Sequence, residues 1–228
     1  MSSEARKGTA GAGSDGEPRL EDGYVEPGLR AELGDELGLR YLVVERGSGR
    51  SSRGAKQRLR ILSDRFDGAD AILLRQRPIP AAYRSFYRQI GLDPDQGRTP
   101  VEHRALERMQ HGRFRSLNLV DDALTIAIVE SSVAVRALDA DRAEGRLGIR
   151  ETVAGEALDG RPGDLPGGTL VIADEKRPLA FLFGATGAGR GVTRKTRRTT
   201  LLAVRVAGVP EIAVEEALWL AADVMAEP

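Results

Sequence analysis

The chain has no cysteine, which excludes disulfides and thiolate zinc sites. Histidine is nearly as scarce. His103 and His111 lie eight residues apart, too few for a histidine-rich metal site, so neither a metal nor any other cofactor is expected. No apolar run reaches the ~18 residues of a membrane span, and no membrane partner is expected. The first residues lack an apolar centre and do not read as a secretory signal. These absences point to a protein of a reducing compartment, the cytoplasm. Lysine is rare too: only 4 of the 34 basic residues are Lys, which with the abundant Ala and Gly suggests a GC-rich bacterial genome.

The formal net charge of the 228 residues is zero, but charge is segregated along the chain. Residues 40–119 carry a net +9 and residues 190–205 a net +6. Basic blocks are what phosphate-rich partners select, although acidic segments folded beside them would also neutralise them. Residues 1–22 are mostly small and acidic, with Leu20 as the one large apolar side chain. Such a stretch buries too little surface to offset its ordering entropy. It reads as a tail, with a single domain over residues 23–228.

Within that domain, 41–44 and 71–74 read as strands, and Lys56 to Phe66 as a basic helix. Pro78 and Pro80 break the chain before a helix from Ala81 to Ile90. Thr99-Pro100-Val101-Glu102 supplies an N-cap, a proline at the first helical position and a capping-box Glu, with a stop at Gly112. Both histidines fall there and read as exposed helical side chains. Asp121 to Ser132 is apolar nearly all round and suggests a buried helix, while its β-branched content leaves a strand open. Segments near 133–138, 146–150, 169–173, 179–183 and 200–206 read as strands, and Glu211 to Met225 as a final helix. Helices, then strands, then a helix imply an α+β fold.

Gly184 to Gly191 resembles a phosphate-binding loop, but Arg190 stands for its Lys and Gly191 for its Ser/Thr. The metal-ligand oxygen is missing, so nucleotide hydrolysis is rejected. A flexible turn or a backbone-lined pocket remains. Arg190, Arg194, Lys195, Arg197 and Arg198 form the densest basic cluster, with no Asp or Glu between Glu175 and Glu211. This composition suits phosphate contacts.

A set of residues in order then carries a family resemblance. It comprises Tyr83-Arg84, Gly91 to Pro94, Arg98 to Glu102, Gly112, Leu117 to Asp121, Glu130, Leu138 to Asp141, Gly145 to Leu147 and Arg150. Gly155-Glu156, Leu170 to Asp174, Pro178 to Ala180, Gly184, Val192 and Thr196 complete it. Together, over roughly residues 78–207, they resemble the B3/B4 domain, the tRNA-binding and editing module of the phenylalanyl-tRNA synthetase beta subunit, and more the standalone version than the full subunit. The resemblance implies a β-sandwich of unusual topology flanked by helices. It also implies a pocket in which the synthetase removes wrongly attached tyrosine. Nothing resembles the synthetase's catalytic core or ATP site, so the chain is not expected to charge tRNA.

The editing histidine of that family falls on Arg136, its Thr on Leu124 beside Thr125, and its late Glu near Ala203. The resemblance places the pocket at Leu124, Thr125, Asp139, Glu156, Gly184, Gly187 and Ala203, with Arg136 at the reactive position. A pocket without these polar groups would not strongly prefer a hydroxylated side chain. Two functions follow as expectations. One is a tRNA-binding protein, with hydrolysis of a mischarged ester in trans through Arg136 and backbone N–H groups. The other is a non-catalytic sensor of an amino-acid-like small molecule, or a protein-docking module.

Overall fold

Seven residues in the middle of the fold, Thr199–Arg205, form a strand buried at every position but the last. A strand apolar along its whole length has both faces covered, and the rest of the chain is arranged about it. The computed structural model describes residues 18–228. Its strands, in chain order, are β1 (Glu21–Asp22), β2 (Tyr24–Val25), β3 (Gly38–Val44), β4 (Val135–Asp139), β5 (Gly148–Glu151), β6 (Leu170–Ala173), β7 (Pro178–Phe181) and β8 (Thr199–Arg205). Its helices are α1 (Pro27–Leu33), α2 (Arg53–Arg65), α3 (Gly68–Leu73), α4 (Pro78–Gln89), α5 (Pro100–His111), α6 (Leu119–Ser131) and α7 (Glu211–Ala226).

Two four-stranded sheets result, in the orders β1-β3-β8-β4 and β2-β5-β6-β7. In the first all neighbours are antiparallel, with β8 flanked by β3 from Gly38↔Arg205 to Val44↔Thr199 and by β4 from Val135↔Ala203 to Asp139↔Thr199. In the second, β2 runs parallel to β5 and the other pairs are antiparallel. The chain is therefore one α+β domain of two sheets with flanking helices, in line with a B3/B4-like fold. The sheets are linked at Gly23, which joins β1 to β2. Its N–H donates to Leu39 O (2.8 Å) and the next N–H to Leu147 O (3.0 Å). A Cβ at Gly23 would lie 2.7 Å from that of Leu39, so the close approach requires glycine.

Helix α6 is buried from Leu119 to Ile128 except at Asp121, as its all-round apolar pattern implies. It packs against α7, α2, α5 and β4, while α7 lies on β3 and β8. Helix α4 is fixed by Tyr83, which is wholly buried. The Tyr83 hydroxyl donates to Val204 O (2.6 Å) and accepts from Ala134 N (3.2 Å). One phenol thus joins α4, β8 and the entry to β4. Burial raises its pKa well above the ordinary tyrosine value, so it remains a donor at all physiological pH.

Three expectations change. The segment 71–74 is helical, as α3 and a following 3-10 turn (Leu74–Gln76), and not a strand. Asp67 and Asp70 cap it reciprocally, Asp70 N to Asp67 Oδ1 at 2.9 Å and Asp67 N to Asp70 Oδ2 at 3.3 Å. Ile72 and Leu73 remain exposed, so a local cap decides the structure where no sheet covers the apolar pair. Pro78 and Pro80 do not break the chain. They sit in the first turn of α4, where the missing N–H groups would have no helical partner anyway. The tail expected over 1–22 falls mostly on residues 1–17, outside the described residues, but Glu21–Asp22 is already paired with β3. There Tyr41 donates to Glu21 (2.9 Å) and Arg40 pairs with Asp22.

Tyr83→Phe keeps the ring and removes both hydroxyl bonds. It is expected to cost about 2 kcal/mol, since a buried carbonyl and a buried N–H lose a partner together. Urea unfolding followed by circular dichroism measures it.

Candidate functional site

Five elements, α4, α5, α6, β4 and β8, converge with the segment after β7 on a cleft of about 520 Å³. The apolar side comprises Tyr87 of α4, Leu124 and Ile128 of α6, Val204 of β8, and Leu182 and Phe183 after β7. Phe183 stacks against Tyr87 (centroids 4.8 Å apart) and meets Tyr83 and Phe86 edge-on (6.0 Å each). That cluster fixes α4 to the start of the Gly-rich loop. The opposite side is basic: Arg98 before α5, His103 and Arg104 on it, and Arg136 on β4. Among the described residues, no Asp or Glu lines the cleft.

The α5 wall is held from beneath by a buried carboxylate. Glu102 accepts from Thr99 N (3.0 Å) and Thr99 Oγ1 (2.8 Å) at the start of the helix. Its other oxygen pairs with the buried Arg84 at 2.7 Å. Arg84 also binds Asp95 at 2.8 Å, which holds that exposed carboxyl below its usual range. The residues Arg84, Thr99 and Glu102 of the family pattern are thus a scaffold for the rim.

Arg136 is the central cation. Its Nη1 donates to Phe181 O (2.7 Å), and its Nη2 to Gly184 O (2.6 Å) and Thr186 Oγ1 (3.3 Å). All three acceptors lie on or after β7, so the side chain ties one sheet to the other. Among the described residues it has no carboxylate partner. Desolvation lowers its pKa to about 10, still charged at neutral pH. Nε and one Nη1 hydrogen remain for a ligand.

The structure brings only part of the expected pocket together. Leu124, Arg136 and Gly184 border the cleft. Thr125 instead donates to Asp121 O (2.8 Å) and borders a smaller hollow beside it. Ala203 faces away from the cleft, because side chains alternate along β8 and Val204 lines it. Asp139 accepts from Thr196 Oγ1 (2.6 Å) and so anchors the basic loop. Gly187 packs against Leu158 and Leu179. Glu156 lies on the second sheet's flank, paired with Arg150 at 2.6 Å.

The Gly-rich loop is neither a flexible turn nor a phosphate cradle. Its Phe181 and Gly184 carbonyls point at a guanidinium, the reverse polarity of an anion site. In the basic loop, Arg190 is committed to Asp159 (2.7 Å) and Arg142 O (2.6 Å), and Arg198 to Glu45 (2.9 Å) and Asp141 (3.1 Å). Arg194, Lys195 and Arg197 are exposed and form no ion pair among the described residues. None of them borders the cleft.

The sequence reading missed Arg98, His103 and Arg104. Pro100, His103 and Arg104 are spaced i, i+3, i+4 on one face of α5, a signal available before the structure. What the helix faced was not.

No protein-family model matches the chain. Curated relatives do. The phenylalanine–tRNA ligase beta subunit of Pseudoalteromonas translucida is 30% identical over 183 residues, 78% of this chain and 22% of that protein. The same subunit of Xanthomonas oryzae pv. oryzae is 34% identical over 114 residues (49% and 14%), and that of Legionella pneumophila 28% over 138 residues (59% and 17%). The chain spans about a fifth or less of the length of these relatives. Among the described residues, no helix is long and apolar enough to cross a membrane.

The displaced Glu156 yields a pH test. Its hydrogen bonds to Arg150 first, and to Val153 N, hold its carboxyl below the ordinary range against desolvation. A depressed carboxylate stabilises the fold above the unfolded pKa and loses that contribution as pH falls through the folded one. Glu156→Gln is expected to cost about 1 kcal/mol at pH 7. The cost should shrink as pH falls from neutral into the acid range and the carboxylate is protonated, as read by urea unfolding across a pH series.

Proposed function

We propose a function for a chain homologous to one segment of the phenylalanine–tRNA ligase beta subunit: it is an RNA-binding domain that receives the aminoacylated end of a tRNA in the cleft. The observation that carries this is the cleft's division into an apolar wall and a basic wall of Arg98, His103, Arg104 and Arg136, with no acidic lining among the described residues. A tRNA end brings both complements, phosphates and an esterified amino acid. The free N–H groups of Arg136 suit the ester carbonyl or a phosphate oxygen. Leu124 and Phe183 suit the amino-acid side chain. The exposed Arg194, Lys195 and Arg197 would add phosphate contacts to the body of the tRNA. This reading places the protein in the cytoplasm.

Binding, and not hydrolysis, is the activity we assign. Arg136 already makes three hydrogen bonds, and among the described residues no carboxylate lines the cleft to serve as a general base. The apolar side around Leu124 should distinguish poorly between phenylalanyl and tyrosyl ends. A second reading has its own support, since a desolvated guanidinium facing an apolar wall also fits the carboxylate of a free amino acid.

Binding of aminoacylated and deacylated tRNA, with deacylation followed in parallel, tests the proposal. Wild-type protein should bind with steep salt dependence and leave the ester at its spontaneous rate. Leu124→Trp fills the cleft without touching the Arg136 bonds and should weaken the aminoacylated form about tenfold, a change of about 1.4 kcal/mol. Neutralising Arg194, Lys195 and Arg197 should weaken both forms alike. Salt-independent binding of free amino acids with no tRNA binding would establish the sensor. Deacylation abolished by His103→Gln would make the cleft a hydrolase.

A further inference from the structure

The cleft is one end of a longer path. Arg104 borders both the cleft and a hollow of about 130 Å³ that His111, Arg113 and Arg115 also line. Arg113, Phe114 and Arg115 in turn border a groove of about 500 Å³. Its other wall is α2, through Lys56, Arg60 and Asp64. Shared lining residues thus set three concavities side by side along α5, the loop that follows it and α2.

Positive charge dominates the whole path. In the groove, four cations face one carboxylate, Asp64. Lys56, Arg60, Arg113 and Arg115 are exposed, and none makes an ion pair among the described residues. In the hollow, the one acidic side chain, Glu107, is taken up by Arg104 (2.8 Å) and His103 (3.4 Å). The four groove cations stabilise no other part of the fold by charge pairing.

Their backbone, by contrast, is firmly held. Gly112 ends α5 in the left-handed region (φ 70°) and turns the chain toward α2. Arg108 donates twice to Ser63 O (2.8 and 3.1 Å), and Phe114 N donates to Ser63 Oγ (2.8 Å). Farther on, Leu117 N and Ser116 Oγ both donate to the buried Asp122 (2.9 and 2.5 Å). Phe114 is buried edge-on to Phe66 at the foot of α2. Arg113 and Arg115 therefore flank an anchored residue and present two cations from a rigid loop toward two more on a helix. Such preorganisation lowers the ordering cost of binding.

We infer that this groove binds backbone phosphates of a single RNA strand, and that the path through the hollow leads that strand to the cleft. The inference rests on the RNA reading above and extends it to a surface that reading does not use. A hollow of about 130 Å³ cannot pass a duplex, so the occupant between groove and cleft is a single strand. The groove wall offers no exposed aromatic side chain for stacking, so recognition there is by phosphate and indifferent to base sequence.

The test is anisotropy of a fluorescein-labelled, unacylated single-stranded RNA of about 12 nucleotides, long enough for one such binding site. Salt is varied between about 50 and 200 mM. Each phosphate contact on a single strand contributes about −0.7 to the slope of log K against log salt. Lys56→Gln, Arg60→Gln, Arg113→Gln and Arg115→Gln combined should reduce the slope's magnitude by about 2, the equivalent of three contacts. At low salt the same variant should weaken binding more than about tenfold. All four side chains are exposed, so its urea midpoint should equal that of wild type. Arg53→Gln with Arg65→Gln, on the same helix outside the groove, should leave the slope unchanged.

An unchanged slope in the quadruple variant, with wild-type binding intact, overturns the path and leaves the cleft reading standing. Loss of binding in the quadruple variant, together with failure of the cleft test with aminoacylated tRNA, keeps the groove and removes the cleft as the strand's destination. A duplex RNA of equal length that binds as tightly overturns the single-strand assignment. No binding of the strand by wild type overturns the path and the RNA reading together.

Discussion

The guanidinium of Arg136 reaches from the first sheet to main-chain carbonyls at and just after the last strand of the second. Cations withdrawn from water are usually neutralised by a carboxylate; this half-buried one is held by two peptide carbonyls and a threonine hydroxyl. Dipoles satisfy hydrogen bonds but leave the unit charge uncancelled. The sheets are thereby stitched at the mouth of the cleft, and the stitch itself projects a positive field into it. Desolvation weakens the hold on the proton, but not enough to discharge the group near neutrality. Stability and anion affinity are for this reason inseparable at Arg136.

The neighbouring α5 wall solves the same problem by other means. There the charges that shape the rim are cancelled internally. Arg84, Glu102 and Asp95 form a partly buried network that sets where α5 begins. A buried ion pair of this kind contributes more to geometry than to net stability. With Glu102 consumed beneath the helix, the side chains it presents outward, His103 and Arg104, face the cleft with only Glu107 beside them. The cleft is positive because its negative groups are used one layer further in.

How much of this was legible in the sequence depended on the range of the cause. The capping box at Thr99 and Glu102, the apolar helix read over 121–132 and the strand read near 200–206 are local patterns with local consequences. Each appears in the structure, the helix as Leu119–Ser131 and the strand as Thr199–Arg205. The segment 71–74 was misread because four apolar residues in a row signal burial, whereas the cap at Asp67 and Asp70 set the conformation and left Ile72 and Leu73 in solvent. The site was only half legible. Of the expected pocket, Leu124, Arg136 and Gly184 border the cleft. Ala203 lies one residue from the bordering Val204, which on a strand means the opposite face. The commitments of Arg190 and Arg198 to Asp159, Glu45 and Asp141 join residues 31 to 153 positions apart. No reading of the loop alone could reveal them.

The carbonyls of Phe181 and Gly184, turned toward the Arg136 guanidinium, give the cleft floor a polarity that one side chain decides. A glycine-rich loop is often equated with anion binding, but composition does not fix polarity; the direction in which its peptides point does. Here two oxygens face inward, so the loop by itself is a weak cation site. Arg136 caps those oxygens and converts the same wall into an anion site. A neutral side chain at 136 would therefore do more than subtract a positive charge. It would also uncover the two oxygens beneath, so that part of the floor would turn from hydrogen-bond donor to acceptor while Arg98, His103 and Arg104 stayed in place. One side chain thus sets which end of a ligand this part of the floor can hold, on an otherwise unaltered scaffold.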